Sequence, residues 1–241
     1  MTTDHFKDIA KKYDSMQGVE ISNAVCNAIL EFGDLDPSKT NALELGCGTG
    51  LMSVKIAPHV KTLLAVDVSA SMLELLNEKI RVGEVPSNVT TKEINLLDNA
   101  TLAEYAGKFD VVVSALAYHH ISDFKGMTEA LFKVLKPGGK VFIADLLQGG
   151  RSIHGNMSDA DCEKAGVSSK GGFAAKFMKD LFTDAGFVDF QSRETVAESW
   201  GSTMHTRDHT GRTGEEKQVD GETHYHTFTD ILLAVGQKPL N

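Results

Sequence analysis

Apolar positions along the chain change period repeatedly, and the changes mark out its elements. Near the start they recur at helical spacing, in Phe6, Ile9 and Tyr13 and then in Val19, Ile21, Val25, Ile29 and Phe32, with the second stretch ending at Gly33. Two leading helices are predicted. From Asn41 onward, short β-rich runs alternate with helical stretches. ALELG precedes a helix over 51–57, TLLAVD one over 71–82, NVTTKEI a short one near Leu102, and FDVVVSALA one over 124–135; KVFIADLL closes the series. Strand runs rich in Val, Ile and Leu that alternate with helices predict a mostly parallel sheet covered on both faces.

Pro137-Gly138-Gly139 stops the preceding helix and predicts a turn just before the fifth strand. The rhythm then changes. Residues 148–172 are rich in Gly, Ser and Asp, 173–185 reads as a helix ending at Gly186, and VDFQSRETVAES is strand-like. A polar connector over 201–224 leads to FTDILLAVG. Two successive strands with no helix between them predict an antiparallel pair at the end of the sheet, for a total of seven strands. The whole chain, 1–241, reads as a single domain: leading helices over 1–35, a central core over 40–150, and a C-terminal part over 151–241.

Composition narrows the function. The formal net charge is −9, which argues against a grip on nucleic acid or an anionic membrane and toward a small-molecule partner. Cys26, Cys47 and Cys162 are odd in number and widely spaced, so neither a disulfide framework nor a zinc knuckle is expected. The first residues lack an apolar signal core and the last four match no lipidation or retention signal. The expected location is cytoplasmic.

Glu44-Leu-Gly-Cys-Gly-Thr-Gly50 lies where the first strand meets a helix, a place where glycines let a ligand approach the backbone and the helix offers free N–H groups. Asp67 ends the second strand, positioned to accept both hydrogen bonds of a ribose diol. The dinucleotide fingerprint GxGxxG, counted from Gly46, would need glycine at 51, where this chain has Leu. Glu44, two residues before the first glycine, suits a positively charged ligand better than a pyrophosphate.

At these residues the chain resembles the class I S-adenosylmethionine-dependent methyltransferases, in particular the small-molecule branch that includes ubiquinone-biosynthesis enzymes. Four blocks carry the resemblance, in family order: ALELGCGTGLMS, AVDVSASML, FDVVVSALAYHHI and LKPGGKVFIADL. It implies a Rossmann-like doubly wound α/β fold with N-terminal lid helices, and S-adenosylmethionine as cofactor with S-adenosylhomocysteine as product. It also implies that Gly46, Cys47, Gly48 and Gly50 approach the methionine part with Glu44 near its ammonium, and that Asp67 holds the ribose. Val68 and Met72 then flank the adenine, and Asn95, Leu96, Leu97 and Asp98 meet its edge, with both Asp98 and Asn95 open for the amino group. Ala115 borders the cofactor from the fourth strand, and Tyr13 closes over it as a lid. Cys47 has no recognisable base partner, so it reads as a small residue tolerated in a tight turn.

The acceptor belongs near the end of the fourth strand, at Ser114-Ala-Leu-Ala-Tyr-His-His120. The DPPY or NPPY motif of related enzymes that act on DNA adenine or protein glutamine is absent here. His119 and His120 are candidate general bases, His119 marginally ahead, and the alternative is that the pair only caps the strand or packs. His205, His209, His224 and His226 have spacings a metal could use, but no cysteine or carboxylate cluster completes a set, and no metal is expected. The reading is methyl transfer to O, N, S or C of a small acceptor. Its rivals are a nicotinamide-dependent oxidoreductase and a non-catalytic, cofactor-binding partner subunit.

Overall fold

The alternation of strand-sized and helical runs builds one mixed sheet with helices on both faces, in a computed structural model that describes residues 14, 16–33, 35–202 and 209–241. The elements are α1 (Met16–Leu30), β1 (Asn41–Leu45), α2 (Leu51–Ile56), β2 (Thr62–Asp67), α3 (Ala70–Arg81), β3 (Val89–Glu93), α4 (Asn99–Tyr105), β4 (Phe109–Ala115), α5 (Phe124–Val134), β5 (Leu135–Leu146), α6 (Asp159–Lys164), α7 (Ala175–Ala185), β6 (Val188–Gly201), β7 (Arg212–Val219) and β8 (Glu222–Gln237). The first predicted helix and Tyr13 lie outside the described residues.

The sheet runs β3-β2-β1-β4-β5-β8-β6. Its first five strands are parallel, and β8 pairs antiparallel with both β5 and β6. The hydrophobic pattern predicts these seven strands and the antiparallel end, and the fold sets their order. An eighth strand, β7, pairs with the first half of β8 and occupies the stretch expected to be a polar connector. It escapes the pattern because it has no apolar alternation; its cations cover aromatic rings instead, Arg212 over Tyr225 at 3.6 Å and Lys217 over Trp200 at 4.2 Å.

Period-2 alternation sorts the core onto two faces. On β4, Val111 and Val113 face the cluster beneath α1, α2 and α3 with Ile21, Val25, Ile29, Ile56 and Leu76. Val112 faces the opposite cluster with Leu131, Phe182 and Phe187 from the α5 and α7 side. Helix α1 buries Ile21, Val25, Ala28 and Ile29, a helical stripe. Pro137-Gly138-Gly139 interrupts β5 rather than preceding it: Phe109 pairs with Leu135 and Val111 with Lys140, so the residues between bulge out of the ladder.

Helix α6, unmarked by any apolar period, is set by its Ser158 cap, whose hydroxyl accepts from the Asp161 N–H. No helix among the described residues is long and apolar enough to cross a membrane. Strand order reverses between β1, which leads outward to β2 and β3, and β4, which leads the other way. The crevice outside the carboxyl ends of β1 and β4 is therefore where a ligand site is expected.

Candidate functional site

A cavity of about 190 Å³ opens at that crevice. Gly46, Cys47 and Gly48 form its floor after β1, Asp67 and Val68 come from the end of β2, and Met72 from α3. Asn95 and Leu96 follow β3, while Ala115, Leu116, Ala117 and His120 follow β4. The open side is walled by Gly18, Ile21, Ser22 and Val25 of α1.

The glycines divide into two kinds. Gly48, at φ +52, has nothing in the protein within 4 Å of where a side chain would begin; that space belongs to the cavity. Gly50, at φ +86, is absent from the cavity wall, and a side-chain carbon on it would lie 2.3 Å from Leu76 Cδ1. Its role is close packing of the loop on α3.

Two carboxyl groups meet at the loop. Asp67 accepts from the Gly48 N–H at 2.8 Å and the Ser69 N–H at 2.9 Å, yet burial holds its proton affinity above the ordinary carboxylate range. Glu44 is 2% exposed and accepts from the Ser53 hydroxyl at 2.5 Å. Burial pushes it up to about 8, and the charge of Asp67 adds to the rise. Two acids crowded into a desolvated pocket form a site that a cation would relieve. Burial raises the neighbouring Cys47 thiol well above its usual value, as do the charges of Glu44 and Asp67, so it stays a thiol.

Three candidates are not on the cavity wall besides Gly50. Leu97 is partly exposed beyond it, and Asp98 caps α4 by accepting from the Ala100 N–H at 2.9 Å. The third is His119, 1% exposed and behind the wall, where Asp145 accepts from its backbone N–H and lies 2.7 Å from its Nδ1. His120 faces the cavity instead. The two rings lie side by side in a 3-10 turn, Tyr118–His120, with centroids 4.1 Å apart, His119 on the Asp145 side and His120 on the cavity side. The turn follows Leu116, whose φ of 50 is unusual for a branched residue and marks the strand end as strained.

Sequence reasoning missed the wall residues of α1, although Ile21 and Val25 were visible in its apolar stripe. It also missed the clasp that ties the residue before α1 to the loop: Asp14 accepts from the Thr49 hydroxyl at 2.6 Å and pairs with Lys79 at 2.6 Å. Lys79 also donates to the Thr49 carbonyl. Of the spaced histidines, His205 lies outside the described residues. His209 bonds Thr229 and accepts from Gly211 N–H, and its affinity for a proton falls to about 4 because it is buried. His226 stacks on Trp200 and bonds Glu198, while His224 is buried with an unpartnered Nδ1.

Residues 42–139 match a family model described as a methyltransferase domain. An uncharacterized methyltransferase of Schizosaccharomyces pombe is 32% identical over 217 residues, covering 75% of this chain and 76% of its own length. The ubiquinone biosynthesis O-methyltransferase of Coxiella burnetii is 26% identical over 106 residues, 44% of this chain and 43% of that enzyme. Among solved structures, the N-methyltransferase NodS of Bradyrhizobium japonicum, in complex with S-adenosylhomocysteine, superposes with a TM-score of 0.59 at 18% identity. That match covers 98% of this chain and 100% of NodS.

Proposed function

Because the chain belongs to the methyltransferase family, we propose that its cavity binds S-adenosylmethionine and directs the methyl group to O, N, S or C of a small acceptor in the cytoplasm, with S-adenosylhomocysteine as product. The observation that carries this reading is the pair of buried carboxyls at the glycine loop, both held toward their neutral forms. A ligand with ammonium and sulfonium groups relieves that strain; a pyrophosphate would worsen it.

When bound, the cofactor supplies an activated methyl on a sulfonium, which leaves as a neutral thioether. Glu44 then faces the ammonium. Each Asp67 oxygen already accepts one backbone N–H and keeps acceptor capacity for one ribose hydroxyl. Val68 and Met72 cover the adenine, with Asn95 and Leu96 at its edge, and Gly46, Cys47, Gly48 and Ala115 border the methionine part.

At the acceptor end His120 lines the cavity, placed to take or hold the proton that the acceptor gives up. His119, braced by Asp145, fixes the turn that aims it. Holding donor and acceptor in line can itself supply about 7 to 11 kcal/mol of the barrier. A cavity of this size, in a chain of net charge −9, favours a small acceptor over a nucleic acid.

Calorimetry with S-adenosylhomocysteine and with NAD, followed by incubation of a metabolite extract with methyl-labelled S-adenosylmethionine, tests the assignment. The expected result is binding of the first ligand only and label in a low-mass product. Binding of NAD instead would overturn it, and cofactor binding with no labelled product would reduce the chain to a non-catalytic partner.

A further inference from the structure

Behind the cavity wall three imidazoles meet. One ring nitrogen from each of His119, His120 and His154 lies within 4.8 Å of the others, and His119 and His154 are almost wholly buried. The first two come from the turn after β4. His154 comes from the segment after β5, which is fastened to the same turn where the Ser168 and Ser169 N–H groups donate to the His119 carbonyl.

The chemistry of the partners fixes the rings. His119 Nδ1 lies 2.7 Å from Asp145 Oδ1, His120 Nδ1 3.1 Å from the Gly166 carbonyl, and His154 Nδ1 3.0 Å from the Met157 sulfur. Asp145 also accepts from the backbone N–H groups of His119 and Leu146. A carboxylate, a carbonyl and a thioether accept hydrogen bonds and do not donate them. These partners favour, for each imidazole, the tautomer with its hydrogen on Nδ1 and its acceptor lone pair on Nε2. Yet His119 Nε2 and His154 Nε2 are only 3.2 Å apart. Two lone pairs at that separation repel, so a hydrogen or a cation must lie between them.

The spacing fits a cation. Nitrogens bound to one tetrahedral zinc at about 2.0 to 2.1 Å sit roughly 3.3 Å from each other. The brace on His119, a buried carboxylate on the far ring nitrogen, is the arrangement that orients a histidine ligand and raises its basicity. We propose that His119, His120 and His154 form a binding site for a zinc-class divalent cation, with Asp145 as its outer brace. Three imidazoles select zinc and its neighbours over magnesium or calcium. His120, half-buried on the cavity wall, closes the set by a small ring movement and leaves the fourth position toward the acceptor end. Three protein ligands with one open position is the pattern of a reactive site rather than a structural one. There the ion can hold an acceptor's hydroxyl or thiol and lower its proton affinity, a role that replaces proton uptake by His120, whose Nε2 the ion then occupies. The site stands whether or not the cavity takes S-adenosylmethionine.

The test uses the full chain stripped of metal by chelator and titrated with zinc, with metal content measured after gel filtration and cobalt substituted as a visible probe. The expected result is one zinc per chain, an intense visible spectrum with cobalt, and a higher melting temperature with zinc. His154→Ala should lose all three. Asp145→Asn keeps every ligand and should weaken zinc binding ten- to a hundredfold. Circular dichroism and S-adenosylhomocysteine calorimetry on the metal-free proteins report folding and the cofactor site separately. A folded wild-type chain that takes up no zinc, or a His154→Ala variant that binds it as tightly, overturns the proposal.

Discussion

Replacing Glu44 by Gln should remove a large loss of stability that the ligand-free protein suffers as pH rises. The substitution keeps size and an acceptor for the Ser53 hydroxyl while removing the titration. Glu44 has an ordinary value of 4.5 and rises to about 8 in the fold because it is buried beside Asp67. The folded chain therefore binds a proton that the unfolded chain has released, and stability falls as pH climbs from 4.5 through 8. At ~1.4 kcal/mol per pH unit the cost above pH 8 is on the order of 5 kcal/mol, a large part of the roughly 5 to 15 kcal/mol that holds a domain together. Urea unfolding of both proteins without ligand, at pH values from 5 to 9, measures the difference. The wild-type midpoint should drop steadily relative to Glu44→Gln, and the gap should close below pH 5. In calorimetry at pH 7, S-adenosylhomocysteine should expel the proton from wild type, giving a buffer-dependent enthalpy that the variant lacks. Parallel pH profiles for the two proteins would refute the argument that burial strains this carboxyl.

Other substitutions separate the remaining roles. Asp67→Ala removes two charge-assisted acceptors, each worth about 1.5 to 3 kcal/mol, so affinity for S-adenosylhomocysteine should fall at least tenfold in calorimetry. Gly48→Val meets no neighbouring side chain but strains a backbone held at φ +52, so it should lower the melting temperature while leaving a protein that is folded by circular dichroism and no longer binds cofactor. Gly50→Val, driven into Leu76, should also lower the melting temperature, with overpacking alone costing about 1 to 3 kcal/mol. His209, whose value falls from 6.5 to about 4 through burial and the nearby Arg151 charge, contributes stability that is present above pH 6.5 and lost as pH drops toward 4. His209→Asn should flatten that acid limb in thermal melts.

The glycine loop that lines the cavity was legible because its chemistry and its position coincide: glycines at a strand-to-helix turn, an acid before them and Asp67 at the next strand end. The parallel strands were legible because β1, β2, β4 and the second half of β5 are largely apolar on both faces, while β3, polar beyond Val89, showed only in its β-branched residues and its place in the alternation. Legibility ended where function depends on direction rather than residue type. Nothing in the His119-His120 pair says that one ring turns into the cavity and the other toward Asp145; the 3-10 turn decides it. His154 stands in an aperiodic stretch, and long-range contacts bring it near: Arg151 and Ser152 are held by Asp230 and Thr210, and Ser168 and Ser169 by the His119 carbonyl. Asp98 has the right chemistry for an adenine edge but is already engaged at the start of α4. Strand β7 is polar on both faces, so its pairing with β8 leaves no period to read.

The place of β8 in the sheet has a consequence for how the chain must be made. Its residues 231–237 fill the gap between β5 and β6, with Lys140 to Leu146 paired on one side and Val188 to Thr195 on the other. In chain order it follows every other described strand. During synthesis the five parallel strands can assemble early, but β5 then presents an unpaired edge flanked by apolar side chains, and such edges recruit other chains. The long-range pairing that covers it waits until β8 has been made, after α6, α7, β6 and β7. Output of soluble protein should therefore depend on how quickly the segment from β5 to β8 is translated and on whether a chaperone shields the half-built sheet until β8 arrives.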